Sequence, residues 1–402
     1  MNRDMKYDFE TVLDRTGKDS IAADIIPLDG AFVEEGMSRI PMWVADMSFP
    51  AAPFILDAMK KRLETPTFGY FQLTDEYFDA IIRWQKKRNG AEGLEKRFIG
   101  YENGVLGGVS SAIQAFSAPG DCILVHSPTY IGFTHVAEDT GRVLVHSPLK
   151  KDENGVWRMD YRDMDARIKE HHIHLAIFCS PHNPCGRVWE RWEIEKAMEV
   201  YADNDCIVIS DEIWSDIILP GHKHIPTQSV SEDAKNRTVA FYAPSKTFSL
   251  AGLIGSYRIV YNSLLRDRVE KQGDLSHYNS CNVMSMHALI GAFSPEGEEW
   301  ADEMCRVVDE NLAYACRFIG ENFPGVTAAR PQGTYMLYLE CGDFCREHGI
   351  SIRELLERGI RAGVIWQNGE PFMLPDTIRM NFALPHSQAV EALERLKKHA
   401  FI

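Results

Sequence analysis

An α/β fold is what this 402-residue sequence predicts: a mainly parallel sheet flanked by helices, with a smaller α+β domain beside it. Three observations lead there. Six short apolar runs are nearly continuous rather than alternating: CILVH (122–126), VLVHS (143–147), LAIFCS (175–180), CIVIS (206–210), TVAFYA (238–243) and YRIVY (257–261). Such runs suit strands buried on both faces. Several of them recur at roughly the 30-residue spacing of strand–helix–strand units. Beyond residue 290 the pattern changes to long helical periodicities at 298–321 and 351–362, broken by the extended piece YMLYLE (335–340).

Taken in order, residues 1–45 show no long periodic element, and PMWVADMSFP (41–50) reads as an extended lead-in bracketed by prolines. The loop TFGYF (67–71) carries an aromatic tip. A helix follows, with Thr74 as its N-cap, running through Phe78, Ile81, Ile82 and Trp84 to Asn89-Gly90 as its stop. The last helix is expected to be capped by Ser387, with Val390, Leu393, Leu396 and Ala400 three or four apart. A chain of this length usually divides into about two domains. The expected division is a large α/β domain over 46–289 and a small α+β domain from 1–45 and 290–402.

Composition narrows the class. Hydrophobic residues make up 45%, enough for sizeable cores. A formal net charge of −15 argues against a general nucleic-acid or anionic-membrane binder. The charged start MNRDMKYDFE is unlike a signal peptide, and no apolar run approaches a membrane span. Nine cysteines without a CxxC pair point to reduced thiols and a cytosolic protein. His171, His172 and His174 do not share a helical face and lack companion ligands, so a solvated turn is expected there and no metal site.

The chemistry-bearing residues follow the strands. In open α/β sheets, ligands bind off the carboxyl ends of the strands. Gly104, Gly107 and Gly108 stand before an apolar-periodic helix, and a glycine-rich turn into a helix suits phosphate, although the nicotinamide G-x-G-x-x-G spacing is absent. Tyr130 follows the first run, where its ring suits either a flat heterocycle or a packing role. Asn183 is bracketed by Pro181 and Pro184, which would hold its amide for a ligand oxygen or for its own turn. Asp211 ends a buried run, where a carboxylate needs a partner such as a protonated ring nitrogen, unless it caps a helix. Ser245 and Lys246 follow TVAFYA after Pro244, and a partly desolvated lysine there can form a Schiff base with a carbonyl cofactor.

Tyr130, Asn183, Asp211 and Ser245-Lys246, in this order and each after a strand, make a series that resembles the fold type I pyridoxal-phosphate enzymes of the aspartate aminotransferase superfamily. The wording PMWVADMSFP, SPHNPCGRVW, SDEIWSDI and APSKTFSLAGL is similar to the MalY/PatB branch, the cystathionine β-lyase-like C–S lyases. The resemblance covers nearly the whole chain. It implies that pyridoxal 5′-phosphate is bound at Lys246, which also moves the Cα proton. It further implies that Asp211 pairs with the pyridinium nitrogen, Asn183 bonds the ring oxygen, and Tyr130 stacks on the ring. Gly104, Val105, Leu106 and Ser245 would hold the phosphate, and Arg379 in IRMNFALP the substrate carboxylate. Tyr70 would reach the site of a second copy, which makes the implied active unit a homodimer. Trp214 stands where a tyrosine or histidine often touches the cofactor, Ala243 where many relatives have serine, and Ile254 where aminotransferases often have a cation. The implied activity is a C–S β-lyase acting on cystathionine or other S-substituted cysteines. The alternative is an aminotransferase on the same scaffold.

Overall fold

A computed structural model describes residues 5–277 and 279–402. Its centre is a seven-stranded sheet. In chain order its strands are β1 (Ile99–Glu102), β2 (Cys122–Ser127), β3 (Val143–Pro148), β4 (Leu175–Cys179), β5 (Ile207–Asp211), β6 (Thr238–Tyr242) and β7 (Ser256–Ile259). Across the sheet they run β1-β7-β6-β5-β4-β2-β3. The block from β6 to β3 is parallel, whereas β7 is antiparallel to both of its neighbours. All six apolar runs are strands. The seventh, β1, had no counterpart among them, and it pairs Glu102 with Ser256 at the sheet edge.

Period-two alternation distributes each strand to the two faces. On β4, Leu175, Ile177 and Cys179 join a cluster with Val109, Ile113 and Ile209, while Ala176 and Phe178 join another with Ile168, Ile194 and Met198. The helices supplying these side chains are α2 (Val105–Phe116) on the first face, and α4 (Tyr161–Glu170) and α5 (Arg191–Asp203) on the second; α1 (Asp75–Asn89) precedes the sheet and α3 (Ile131–Asp139) follows β2. At the start of α1, Thr74 accepts from the Tyr77 N–H, and at its end Gly90 takes a left-handed φ of 66°, a conformation glycine adopts without steric cost.

The rest of the fold joins the two ends of the chain. α6 (Pro295–Asn322) buries Trp300, Met304, Val308, Leu312, Ala315 and Ile319 along one stripe. A three-stranded antiparallel sheet, in spatial order β8 (Met336–Glu340), β10 (Thr377–Asn381) and β9 (Gln367–Asn368), packs nearby with α7 (Ile352–Arg361) and α8 (His386–His399). A two-residue parallel ladder ties Ile40–Pro41 to Val364–Ile365. One hydrophobic cluster contains Phe9, Ile40 and Met42 together with Leu337, Met380 and Leu393. α8 starts earlier than Ser387 suggested: Pro385 is at the N-cap and Ser387 lies inside the helix. Proline fits there because it has no N–H to leave unsatisfied.

Candidate active site

The parallel block changes direction between β2 and β4: the chain runs outward from β2 to β3, then returns to β4 and continues the other way. Such a switch point leaves a crevice at the strands' carboxyl ends. Tyr130 follows β2, Asn183 follows β4, Asp211 is the last residue of β5, and Ser245 and Lys246 follow β6. All five line one cavity of about 210 Å³, with Gly104, Val105, Leu106 and Trp214. Five separate stretches of the chain thus converge on a single space.

Lys246 Nζ donates to the backbone oxygen of Ala45 at 2.9 Å. Burial pushes this amine down to about 8, opposed by the Asp46 and Asp211 carboxylates and helped by Arg379. Burial likewise pushes the Asp211 carboxyl up to about 6, with the Ile213 N–H and Lys246 pulling the other way. The Ile213 N–H reaches Asp211 Oδ1 at 3.1 Å. Asp211 therefore does not cap a helix. It is a buried acid with one backbone donor at the mouth of the crevice.

Gly104 is the N-cap of α2, with φ of 77° and no side-chain cap. Gly107 and Gly108, expected ahead of this helix, lie inside its first turn. The N–H groups that open a helix have no intrahelical acceptors, so this end faces the cavity as an anion site. Tyr130 ends its loop at the start of α3, with its ring edge-on to Phe133. Its close packing depends on Gly132, since a Cβ at that position would lie 2.5 Å from Tyr130 Cε1. Asn183 is buried, with Oδ1 unpartnered among the described residues. Trp214 is also buried, edge-on to Tyr335, and its ring centroid is 5.9 Å from Lys246 Nζ.

Arg379 lies outside the lining of that cavity, on β10, and is 4% exposed. Its Nη2 donates to the Trp43 backbone oxygen at 3.1 Å and to Gln367 Oε1, and its guanidinium lies 4.1 Å from the Phe372 ring centroid. Nε and Nη1 have no partner among the described residues. A buried guanidinium with two idle donors is costly unless an anion arrives. Tyr70 is fully exposed on its loop and does not line this chain's own cavity. His171 and His172 are exposed on the turn after α4.

The residues that sequence reasoning passed over belong mostly to the 43–46 segment. Asn381 donates to the backbone oxygens of Val44 and Asp46, and Asp46 accepts from Ser249 and Arg15. The lead-in thus lies between β10 and the Lys246 loop. Its proline brackets hinted at an extended strap, but no local pattern placed it at the site.

The donor set fits pyridoxal phosphate: a helix N-terminus for the phosphate, a buried acid for the ring nitrogen, an amide for the ring oxygen, and a neutralisable amine for the aldehyde. The match to known proteins agrees. The model of the family "Aminotransferase class I and II" matches residues 44–396. The cystathionine β-lyase PatB of Bacillus subtilis (strain 168) is 33% identical over 366 residues, covering 89% of this chain and 92% of PatB. Cystalysin from Treponema denticola, which contains pyridoxal 5′-phosphate, superposes with a TM-score of 0.89 at 28% identity, with 98% of each chain covered. A PLP-bound chain from Clostridium difficile 630, provisionally named an aminotransferase, gives a TM-score of 0.89 at 33% identity over 98% of this chain and 99% of its own. By this extent of match and by its cavity, the chain belongs to the class I and II aminotransferase family, on the branch that includes PatB.

Proposed function

We propose that this protein is a pyridoxal-phosphate-dependent C–S β-lyase, cleaving cystathionine or another S-substituted cysteine to a thiol, pyruvate and ammonia. The observation that carries this reading is a buried amine and a buried acid lining one cavity, with a half-satisfied guanidinium close enough to act on the amine's charge. The similarity to PatB selects elimination among the reactions such a site can perform.

When bound, the cofactor supplies an electron sink for charge developing at the substrate Cα. The protein's residues do the rest. Lys246, whose amine burial brings down to about 8, would bind the cofactor's aldehyde and would take the proton from Cα. Asp211 would keep a proton on the ring nitrogen, and Asn183 would donate its amide to the ring oxygen. Tyr130 offers its ring face. The first turn of α2 and Ser245 would hold the phosphate. Arg379 grips the substrate carboxylate through its idle donors, a pairing suited to the planar guanidinium. The Cβ–S bond then breaks, the sulfur leaves as a thiol, and the three-carbon remainder takes up water to give pyruvate and ammonia. The active unit would be a homodimer to which Tyr70 contributes across the interface, and the exposure of Phe68 and Tyr70 supports this.

The deciding experiment supplies the loaded enzyme with cystathionine and several S-alkyl cysteines in the absence of any 2-oxo acid. Pyruvate, ammonia and free thiol should form over many turnovers. One stoichiometric conversion that continues only after a 2-oxo acid is added would assign the protein as an aminotransferase instead.

A further inference from the structure

Strand pairing places three side chains in one row across the small sheet. Tyr338 on β8 and Gln367 on β9 each stand directly opposite Arg379 on β10. Residues opposite one another in an antiparallel pair project from the same face and touch. Gln367 uses its position to accept from Arg379 Nη2. Tyr338 does not: its hydroxyl is buried and has no partner among the described residues. Its ring and the Arg379 guanidinium both pack on Phe372, at 6.3 Å and 4.1 Å respectively. Tyr338 and Arg379 are also close enough for each to act on the other's charge. Strand register thus puts three buried, unpartnered donors, the Tyr338 hydroxyl and Arg379 Nε and Nη1, on one face of the small sheet.

A buried phenol without a partner destabilises the free protein and is retained to no purpose unless something accepts from it. We propose that Tyr338 is a third donor to the substrate α-carboxylate, acting beside Arg379 and discriminating amino acids from amines. This rests on the reading of Arg379 as the carboxylate grip. It goes further in assigning a second residue on a different strand. Phenylalanine at 338 would keep the ring on Phe372 and remove only the donor.

The test uses the loaded enzyme and 2-methylalanine, which carries neither a leaving group nor a Cα proton. Its binding is read from the perturbation of the cofactor's visible band and does not depend on which reaction follows. Isopropylamine, the same molecule without its carboxylate, is the control. Tyr338→Phe should raise the half-saturating concentration of 2-methylalanine about tenfold, as expected for a lost hydrogen bond to a charged group, and leave that of isopropylamine unchanged. The cofactor-free variant should melt no lower than wild type, because the hydroxyl it lacks was idle. Equal shifts for both ligands, no shift for either, or a lower melting temperature would each overturn the assignment. If cystathionine yields no pyruvate but Tyr338→Phe weakens 2-methylalanine alone, the lyase reading fails and the carboxylate contact stands.

Discussion

Lys246 Nζ lies 2.9 Å from the backbone oxygen of Ala45, so the amine proposed to take the cofactor is held by a segment two hundred residues upstream. The Asp46 side chain next to that oxygen also acts on the lysine, raising its pKa against the stronger effect of burial. With the amine at about 8 rather than its ordinary 10.5, roughly a quarter of it is neutral at pH 7.5. Only the neutral amine is a nucleophile. The rate of cofactor capture by the cofactor-free protein should rise with pH and be half-maximal near 8. Asp46→Asn removes a carboxylate that stabilises the charged form, so the midpoint should move to lower pH. Stopped-flow absorbance against pH measures both. A midpoint near 10 in the wild type would mean that the amine is not desolvated.

Gly132 leaves room for the ring of Tyr130. A Cβ at 132 would lie 2.5 Å from Tyr130 Cε1 and 2.9 Å from Leu106 Cδ1. Both neighbours are side chains, and a ring can turn where backbone cannot. Gly132→Ala should therefore leave the helix intact, even strengthened by up to about 1 kcal/mol of propensity, while displacing the ring from the cavity. A lost aromatic contact of about 1 kcal/mol corresponds to roughly a fivefold weaker affinity for pyridoxal phosphate. Equilibrium dialysis against the cofactor reads this directly, and unchanged affinity would remove Tyr130 from the proposed set.

How much of this site could be read in the sequence depends on how local each signal is. Asn183, Asp211 and Lys246 were legible because each ends a buried apolar run, and prolines mark where two of those strands stop. Strand β1 was not, because IGYE alternates and ends in a charge; Glu102 is tolerated inside only through Arg258 on β7 and Asn279. Gly132 carried no signal in the sequence, since its role depends on a ring two residues away turning back over it. The partners of Arg379 were out of reach for a different reason. Trp43 and Gln367 come from opposite ends of the chain, and nothing in either stretch shows that β10 lies between them. The cavity around Lys246 was thus visible as a series of strand ends. Arg379 entered through the family resemblance, and only strand register placed Tyr338 and Gln367 opposite it.

Asp211 provides the most direct link between the site's electrostatics and the stability of the fold. Its carboxyl is pushed from 3.8 to about 6, chiefly by burial. Between these values the folded state binds more protons at this group than the unfolded state does. Its contribution to stability therefore falls as pH rises from about 4 to about 6, and the loss is complete above that window. Across the whole window the loss amounts to about 3 kcal/mol. Asp211→Asn keeps an oxygen for the Ile213 N–H and cannot ionise. The cofactor-free variant should thus be more stable than cofactor-free wild type by up to about 3 kcal/mol above pH 7, with the gap narrowing to roughly half at pH 5. Pyridoxal phosphate should reverse the order, because a protonated ring nitrogen gives the wild-type carboxylate the partner that the amide cannot replace. Urea unfolding of both proteins, with and without cofactor, at pH 5 and pH 8 measures these differences. A gap that does not change with pH would show that Asp211 is solvated, and a cofactor that stabilises both proteins equally would show that the ring nitrogen pairs elsewhere.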